Sequence, residues 1–344
     1  MRLIDIEALE LPSKYDEEFK KVDFNNLFSN EFKNIETYEF DIMGLKSVKD
    51  ETVYENSLFD ITRNFDEKQI VLTINSNIPE PLCLIHKIKD DDTFYVNSLK
   101  VEVKEGAKAS LIEVFTNSSQ NSAYSVNRSF DIEKNANFEY AKIQHISENN
   151  SLLYNANFTQ DDDSKVKFTS FELGIGFVVN NYINIIDNKN IEYNLNGLVK
   201  SQNSANTANL IKTIHNNESS TSDINFKHSL KDEAKAVFKA KSRVNKNALF
   251  SKAFQNSNTI LLSDDASIYA QPHLEILIDE LEASHGATTG TLDKEQLLYL
   301  QSRGIPKQKA YDMLLKAFES QIYDNINDIL IKEFIKDYSR SKYV

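Results

Sequence analysis

Ionisable side chains able to do acid–base or metal chemistry crowd into one segment, LLSDDASIYAQPHLEILIDELEASHGATTGTLD, which carries Asp264, Asp265, His273, Glu275, Asp279, Glu282 and His285. Paired carboxylates beside a histidine are the groups that glycosidic cleavage demands, one as acid and one as base or nucleophile. A second pattern lies within the first: Gly286-Ala287-Thr288-Thr289-Gly290 has the spacing of a nucleophile elbow with Thr288 where serine belongs. An elbow needs a strand before it and a helix directly after it, and the first helix signal comes only at Asp293, so a structural turn is the better reading. Metal chemistry is limited by ligands. The six histidines show no HxxxH or HExxH pairing, and with one cysteine, Cys83, no structural zinc or iron-sulfur site can be filled from this chain alone. Any metal would be shared with a partner.

Other chemistries are excluded more simply. No P-loop occurs, and Gly174 and Gly176 lack the third glycine of a dinucleotide fingerprint. The formal charge of -13, from 52 acidic and 39 basic residues, repels phosphate backbones and anionic lipid, which argues against nucleic-acid and membrane partners. The opening MRLIDIEALE has acidic residues where a signal peptide needs an apolar run, and Leu173 to Val179 is too short to span a bilayer, so a cytoplasmic location is expected. Cys83, within PLCLIH, reads as a small buried hydrophobe.

The elements that position the polar segment are mostly strands. From about Leu58 to about Ile278 the chain alternates short runs rich in Val, Ile, Phe, Tyr and Thr, the period-two signature. Turns recur in one form, at Glu105-Gly106-Ala107, Lys134-Asn135-Ala136, Lys246-Asn247-Ala248 and Asp264-Asp265-Ala266. The sparing use of Gly and Pro favours a parallel β-helix, whose corners tolerate Asn, Asp and small residues, with a β-sandwich as the alternative. Before this region, Leu11, Phe19, Val22 and Phe24 line one side of a short helix or irregular arm. After it, Asp293 as N-cap with Gln296 at N3 opens a short helix that Gly304 closes. Pro306 then starts a long helix with Leu314, Phe318, Ile322, Ile326, Ile329 and Ile335 at near-helical spacing, widened by Tyr311, Leu315, Leu330 and Phe334. A stripe that wide serves either two buried sides, one against a partner, or core packing alone.

The last third of the chain resembles the SufB/SufD family. The residues that carry the resemblance are Gln255, the LLSDDA turn, Pro272 with Leu274-Glu275, His285-Gly286-Ala287-Thr288, Leu292-Asp293, and Tyr299 through Arg303-Gly304-Ile305. Upstream, His215, Ser222, Lys227 and Leu230 are similar to a spaced set of the family, and LPSKYDEEFK is similar to its LP…EEWK element with Phe19 for Trp. The HGAT form with the following G-x-LD resembles the SufD type; the SufB type has Glu in place of that Gly, and a sulfur-receiving cysteine that this chain lacks. Some SufD-type chains carry a cysteine two residues before the histidine, where Ala283 stands here.

The resemblance implies a mainly β protein: a right-handed parallel β-helix core at 56–288, a short N-terminal helical or irregular arm at 1–55 and a C-terminal helical region at 289–344. It implies a non-enzymatic scaffold that pairs with a SufB-like subunit and docks the SufC ATPase of the ATP-binding-cassette class. A β-helix carbohydrate-active enzyme and a homodimeric scaffold acting without SufB are the alternatives. The interface residues implied are His285, Glu275 and Glu282, and the SufC-docking residues are Tyr299, Arg303, Gly304, Ile305, Leu314 and Phe318. His285 is implied either to ligate iron of a transient iron-sulfur cluster shared with SufB or to serve as a hydrogen-bonded interface residue. No cofactor is expected on this chain alone, and neither flavin nor iron delivery is specified by the sequence.

Overall fold

The strands stack into a parallel β-solenoid of about eight turns. The computed structural model describes residues 1–7, 9–13, 15–37, 45–50, 52 and 56–342, with side chains to 338; Lys14 and residues 38–44 of the arm lie outside the described residues. Successive strands alternate between a ten-stranded sheet and an eight-stranded sheet, so each turn contributes one strand to each wall. Neighbouring turns stand in parallel register, with Phe94 beside Ala123, Ala123 beside Ser151 and Asn206 beside Lys235.

The corners explain how so few glycines suffice. One corner falls at Gly106, Asn135, Asp163, Asn190, Ser219 and Phe250, each with a positive φ two residues before a strand of the eight-stranded sheet. Asn and Asp reach this left-handed region at low cost because their short polar side chains bond locally, whereas a bulky residue there is strained. Asn190 Nδ2 donates to Asp163 Oδ1 at 3.0 Å, and Asn121 Nδ2 to Asp92 Oδ1 at 2.8 Å, so the corner residues ladder up the stack. A small, buried residue follows most of them: Ala107, Ala136, Ser164, Ser220 and Ser251.

Between the walls lies a lumen filled by alternate side chains, including Phe115, Phe130, Phe138, Tyr154, Phe168, Phe226 and Phe238. Each wall has its own cover. The N-terminal arm lays Leu3, Phe19, Val22, Phe24 and Phe28 over Val96, Leu153, Val179 and Leu210 of the ten-stranded sheet. The C-terminal region lays Ile322, Ile326, Ile331 and Ile335 over Ile112, Val114, Ile143, Phe171 and Leu198 of the eight-stranded sheet.

Four expectations differ from this arrangement, the first being the turn read at 286–290, which is the end of the strand Glu282–Gly290. The run beginning at Leu58 is a helix, Ser57–Phe65, capped by the Asn56 side chain and seated on the outer wall by Leu58, Phe59 and Ile61; the first solenoid strand is Lys68–Ile74. The helix expected after Pro306 is two helices, Lys307–Asp324 and Ile329–Lys342. Asp328 starts the second by accepting from the Leu330 N–H at 2.9 Å, while Glu139 accepts from the N–H groups of Asn327 and Asp328, which leaves Ile329 exposed. Cys83 is exposed. On the edge strand Leu82–Ile88 the alternation turns Leu84, His86 and Ile88 inward and Cys83 outward, and desolvation raises its thiol pKa.

Candidate functional site

The last turn of the solenoid consists of strands Ser267–Ile276 and Glu282–Gly290, each paired on one side only. Their outer edges present unpaired backbone groups along ten and nine residues. Register decides where the side chains point. Ala253, Gln255, Ser257 and Thr259 face the lumen, so their neighbours Ala283, His285, Ala287 and Thr289 face it too, and only the absence of a further turn exposes them. On the other wall Ile268 and Ala270 pack on the core while Tyr269, Gln271, His273 and Glu275 point outside.

The polar segment seen in the sequence is therefore divided. His285 sits at the mouth of the lumen. Glu275 lies outside one wall, 3.2 Å from Lys241 and 3.6 Å from Arg243, and its carboxyl pKa is lowered chiefly by the hydrogen bond from Lys241. Glu282 lies outside the opposite wall, 2.8 Å from Lys252. All three belong to the terminal turn, and the fold does not bring them into contact. The acid–base pairing that a glycosidase needs is not assembled here, and among the described residues no three His, Cys, Asp or Glu side chains are grouped to hold a metal.

Directly beneath His285 lies Gln255, its register neighbour. Gln255 donates to Ser242 Oγ at 2.6 Å and to the His273 carbonyl at 3.2 Å, but its Oε1 has no partner, nor do Ser257 Oγ and His228 Nε2 in the same region. Buried polar atoms without partners are uncommon and costly. The layer under the mouth is thus polar and incompletely satisfied.

Deeper in the lumen are ionised groups that the sequence reading missed. Glu113 is fully buried, with Arg128 Nε donating at 2.9 Å, Tyr140 donating to its other oxygen and His86 Nε2 at 2.7 Å. Despite burial, the facing guanidinium and the hydrogen bonds hold its carboxyl well below the usual range. Lys142 donates to Glu172 at 2.7 Å and to Asn180 at 2.6 Å. The signal was available in principle, because Glu113 and Lys142 are register neighbours one turn apart, a spacing repeated by many side-chain contacts of the stack. His215 and Ser222, expected as a set, do meet at 2.8 Å in the lumen, and burial pushes His215 down to about 4 and His228 down to about 3.

The C-terminal helices hold the remaining predicted residues. Asp293 Oδ1 accepts from Glu295 and Gln296 N–H, forming the forward half of the capping box, and Gly304 closes the helix Lys294–Ser302 with φ 83. That helix buries none of its residues; Leu298 and Tyr299 are 65% and 58% exposed, with Arg303 over the Tyr299 ring. Ile305 and Leu314 are half-buried. Phe318 is engaged by the solenoid, since Lys227 Nζ lies 4.3 Å from its ring and 2.8 Å from its carbonyl. No helix among the described residues is long and apolar enough to cross a membrane.

Comparison with known proteins agrees with this architecture. Residues 86–318 match the family model described as SUF system FeS cluster assembly, SufBD core domain. The chain is 26% identical over 266 residues to the iron-sulfur cluster assembly protein SufD of Escherichia coli, covering 74% of this chain and 61% of that protein. It is 26% identical over 257 residues to the SufD of Plasmodium falciparum, covering 71% of this chain and 17% of that one. An iron-sulfur cluster assembly SufBD family protein of Synechocystis is 38% identical over 93 residues, 27% of this chain and 20% of that protein. The match runs from the buried His86 to Phe318, nearly the whole solenoid and the helix that braces it: this chain belongs to the SufBD family of the SUF iron-sulfur cluster assembly system.

Proposed function

We propose that the chain is a non-catalytic, cytoplasmic scaffold subunit that pairs through its open solenoid end with a SufB-like chain and docks a SufC-like ATPase on its C-terminal helices. The observation that carries the reading is the last turn: two long strand edges are unpaired, and the polar layer beneath them is unsatisfied. A second solenoid of the same family offers the complementary edges and would close the lumen over His285. The iron-sulfur cluster is cargo in this scheme. His285 supplies one neutral imidazole, which can ligate iron in place of a thiolate, and the partner supplies the thiolates.

The docking part is supported by the exposed apolar residues Leu298, Tyr299 and Met313 on the helices Lys294–Ser302 and Lys307–Asp324, the first of which buries none of its residues while the second seats Ile322 on the wall. Polar contacts also tie the second of these helices to the wall: Lys227 donates to the Phe318 carbonyl, and Glu319 accepts from Ser229 Oγ at 3.0 Å and from Lys200 Nζ at 3.4 Å. Movement of a docked ATPase would reach the lumen through them, since His228 lies between Lys227 and Ser229 on one strand.

The test is co-expression with SufB-like and SufC-like subunits, followed by anaerobic cluster reconstitution with wild type and His285→Ala. A three-component complex whose cluster yield collapses in the variant is the expected result. Normal yield in the variant would demote His285 to packing. A complex lacking the SufB-like subunit, with this chain a dimer by sizing, would favour the homodimeric scaffold; cleavage of polysaccharide by the isolated chain would favour an enzyme.

A further inference from the structure

Phe250 breaks the rule of its column. In the turns below it, the same corner is held at positive φ by Gly106, Asn135, Asp163, Asn190 and Ser219, and Phe250 adopts the same conformation with φ 59. A bulky residue there is strained, where Asn or Gly would not be. What the corner uses is the backbone, the Phe250 N–H donating to the Glu280 carbonyl at 2.8 Å, while the side chain is left 63% exposed. Strain and exposure both act against folding, and strain kept at a surface position suggests a use outside the folded chain.

The corner stacked directly above extends the apolar surface. Val244 and Lys252, which flank the lower corner, pair with Ile276 and Glu282, which flank the upper one. Ile278 and Leu281 turn under onto Val244, Ala248 and Ala253, whereas Ile276 and Leu277 are 44% and 41% exposed. Asp279 and Glu280, both exposed, lie between them. This upper corner joins the two terminal strands, so the patch runs continuously into both free strand edges. Single exposed apolar residues are ordinary, but a cluster with a charged rim at an open end marks an interaction surface.

We propose that Phe250 anchors a side contact with the partner solenoid: the chain that pairs with the terminal edges reaches back over this corner and seats the ring in an apolar pocket rimmed by lysine or arginine. Those cations meet Asp279 and Glu280. The inference rests on the reading that a second SufBD solenoid completes the terminal turn, and it names the side chain by which that partner is chosen. Strand edges pair backbone to backbone and carry little sequence information, whereas one buried aromatic ring supplies a large share of an interface's affinity. The carboxylates orient the encounter and disfavour a partner with an acidic rim.

Isothermal titration of the purified full chain with a SufB-like subunit tests this, alongside thermal midpoints of each variant alone. Phe250→Asn is expected to weaken binding about thirtyfold and to raise the variant's own midpoint, because Asn takes the corner conformation with less strain. Phe250→Tyr should keep the affinity, and Ile85→Asn, at a residue 62% exposed on the edge strand of the far end, should leave it unchanged. Asp279→Lys should weaken binding more at low salt than at high. A photoreactive benzoylphenylalanine placed at 250 should cross-link to the SufB-like subunit in the purified complex. Wild-type affinity in Phe250→Asn overturns the anchor and leaves the scaffold reading standing, whereas no binding by the wild type removes both. A lowered midpoint in Phe250→Asn, which marks the ring as internal packing, also overturns the proposal, as does cross-linking only to a second copy of this chain.

Discussion

The lumen is finished around Glu113 and unfinished around His285. At Glu113, every charge is answered inside the chain: Arg128, Tyr140 and His86 surround one carboxylate, all of them buried. At the mouth, His285 is exposed, and Gln255 Oε1 and Ser257 Oγ beneath it lack partners. The two regions share a wall, an inward-facing parity and a polar character. They differ in whether a further turn covers them, so the first reads as internal structure and the second as half of an assembly.

Breaking the finished region should cost most. Arg128→Met leaves Glu113 as a buried uncompensated charge, and a loss of about 3–5 kcal/mol in chemical denaturation is expected. His285→Ala should cost under about 1 kcal/mol, because an exposed side chain is removed. Comparable losses at both sites would dissolve the contrast. Glycines sharpen it further: a Cβ at Gly197 would lie 2.1 Å from the Phe226 ring, whereas at Gly286 its nearest neighbour is Asn256 Oδ1 at 3.7 Å. Gly197→Ala is therefore expected to destabilise by about 3 kcal/mol and Gly286→Ala by a small fraction of that, read as shifts in denaturation midpoint.

Acid should act on the interior by a different route. His215 and His228 are buried neutral, with folded pKa values of about 4 and about 3 against an ordinary 6.5. Their contribution is intact above pH 6.5 and falls as pH drops below it, because the unfolded chain takes up protons that the folded chain refuses. By pH 5 each should have lost about 2 kcal/mol, and His215→Gln or His228→Gln should flatten the fall in thermal midpoint between pH 6.5 and 5. An unaltered slope in both variants would place the acid sensitivity elsewhere.

Much of this was legible because a solenoid repeats its grammar. The corners at Gly106, Asn135 and Asp265 were readable from residue type alone, since a left-handed or tight corner selects Gly, Asn and Asp. Phe250, 63% exposed at φ 59, was not, because nothing about phenylalanine announces a corner. The separation of Glu275 from His285 was also hidden. Alternation fixes which residues share a face, but the link 277–281 between their strands resets which face is inward, and a single-sequence pattern does not carry that parity. Glu113 and Arg128 carry charges, which ordinarily face solvent, so residue type gave no sign that they fill the lumen. The break at Asn325 was masked by an apolar stripe that continues in phase through Ile322, Ile326 and Ile329; Glu139, nearly two hundred residues earlier, decides it by binding the Asn327 and Asp328 N–H groups.

A smaller effect probes the helix pair. Asp293→Ala removes the cap of a helix that buries none of its residues, and a loss of about 1 kcal/mol should appear as faster amide exchange over 294–302 without a change in the solenoid. Faster exchange across 252–261 as well would show that helix and wall open together.

Everything proposed for His285 depends on completion of the terminal turn by another chain of the same family. Amide hydrogen exchange over 267–276 and 282–290, measured with and without a co-expressed SufB-like subunit, tests it most directly. Strong protection of both strands only in the complex is expected, together with slowed exchange at Gln255. Unchanged exchange at both edges in a stable complex would contradict it and place the partner elsewhere on the molecule.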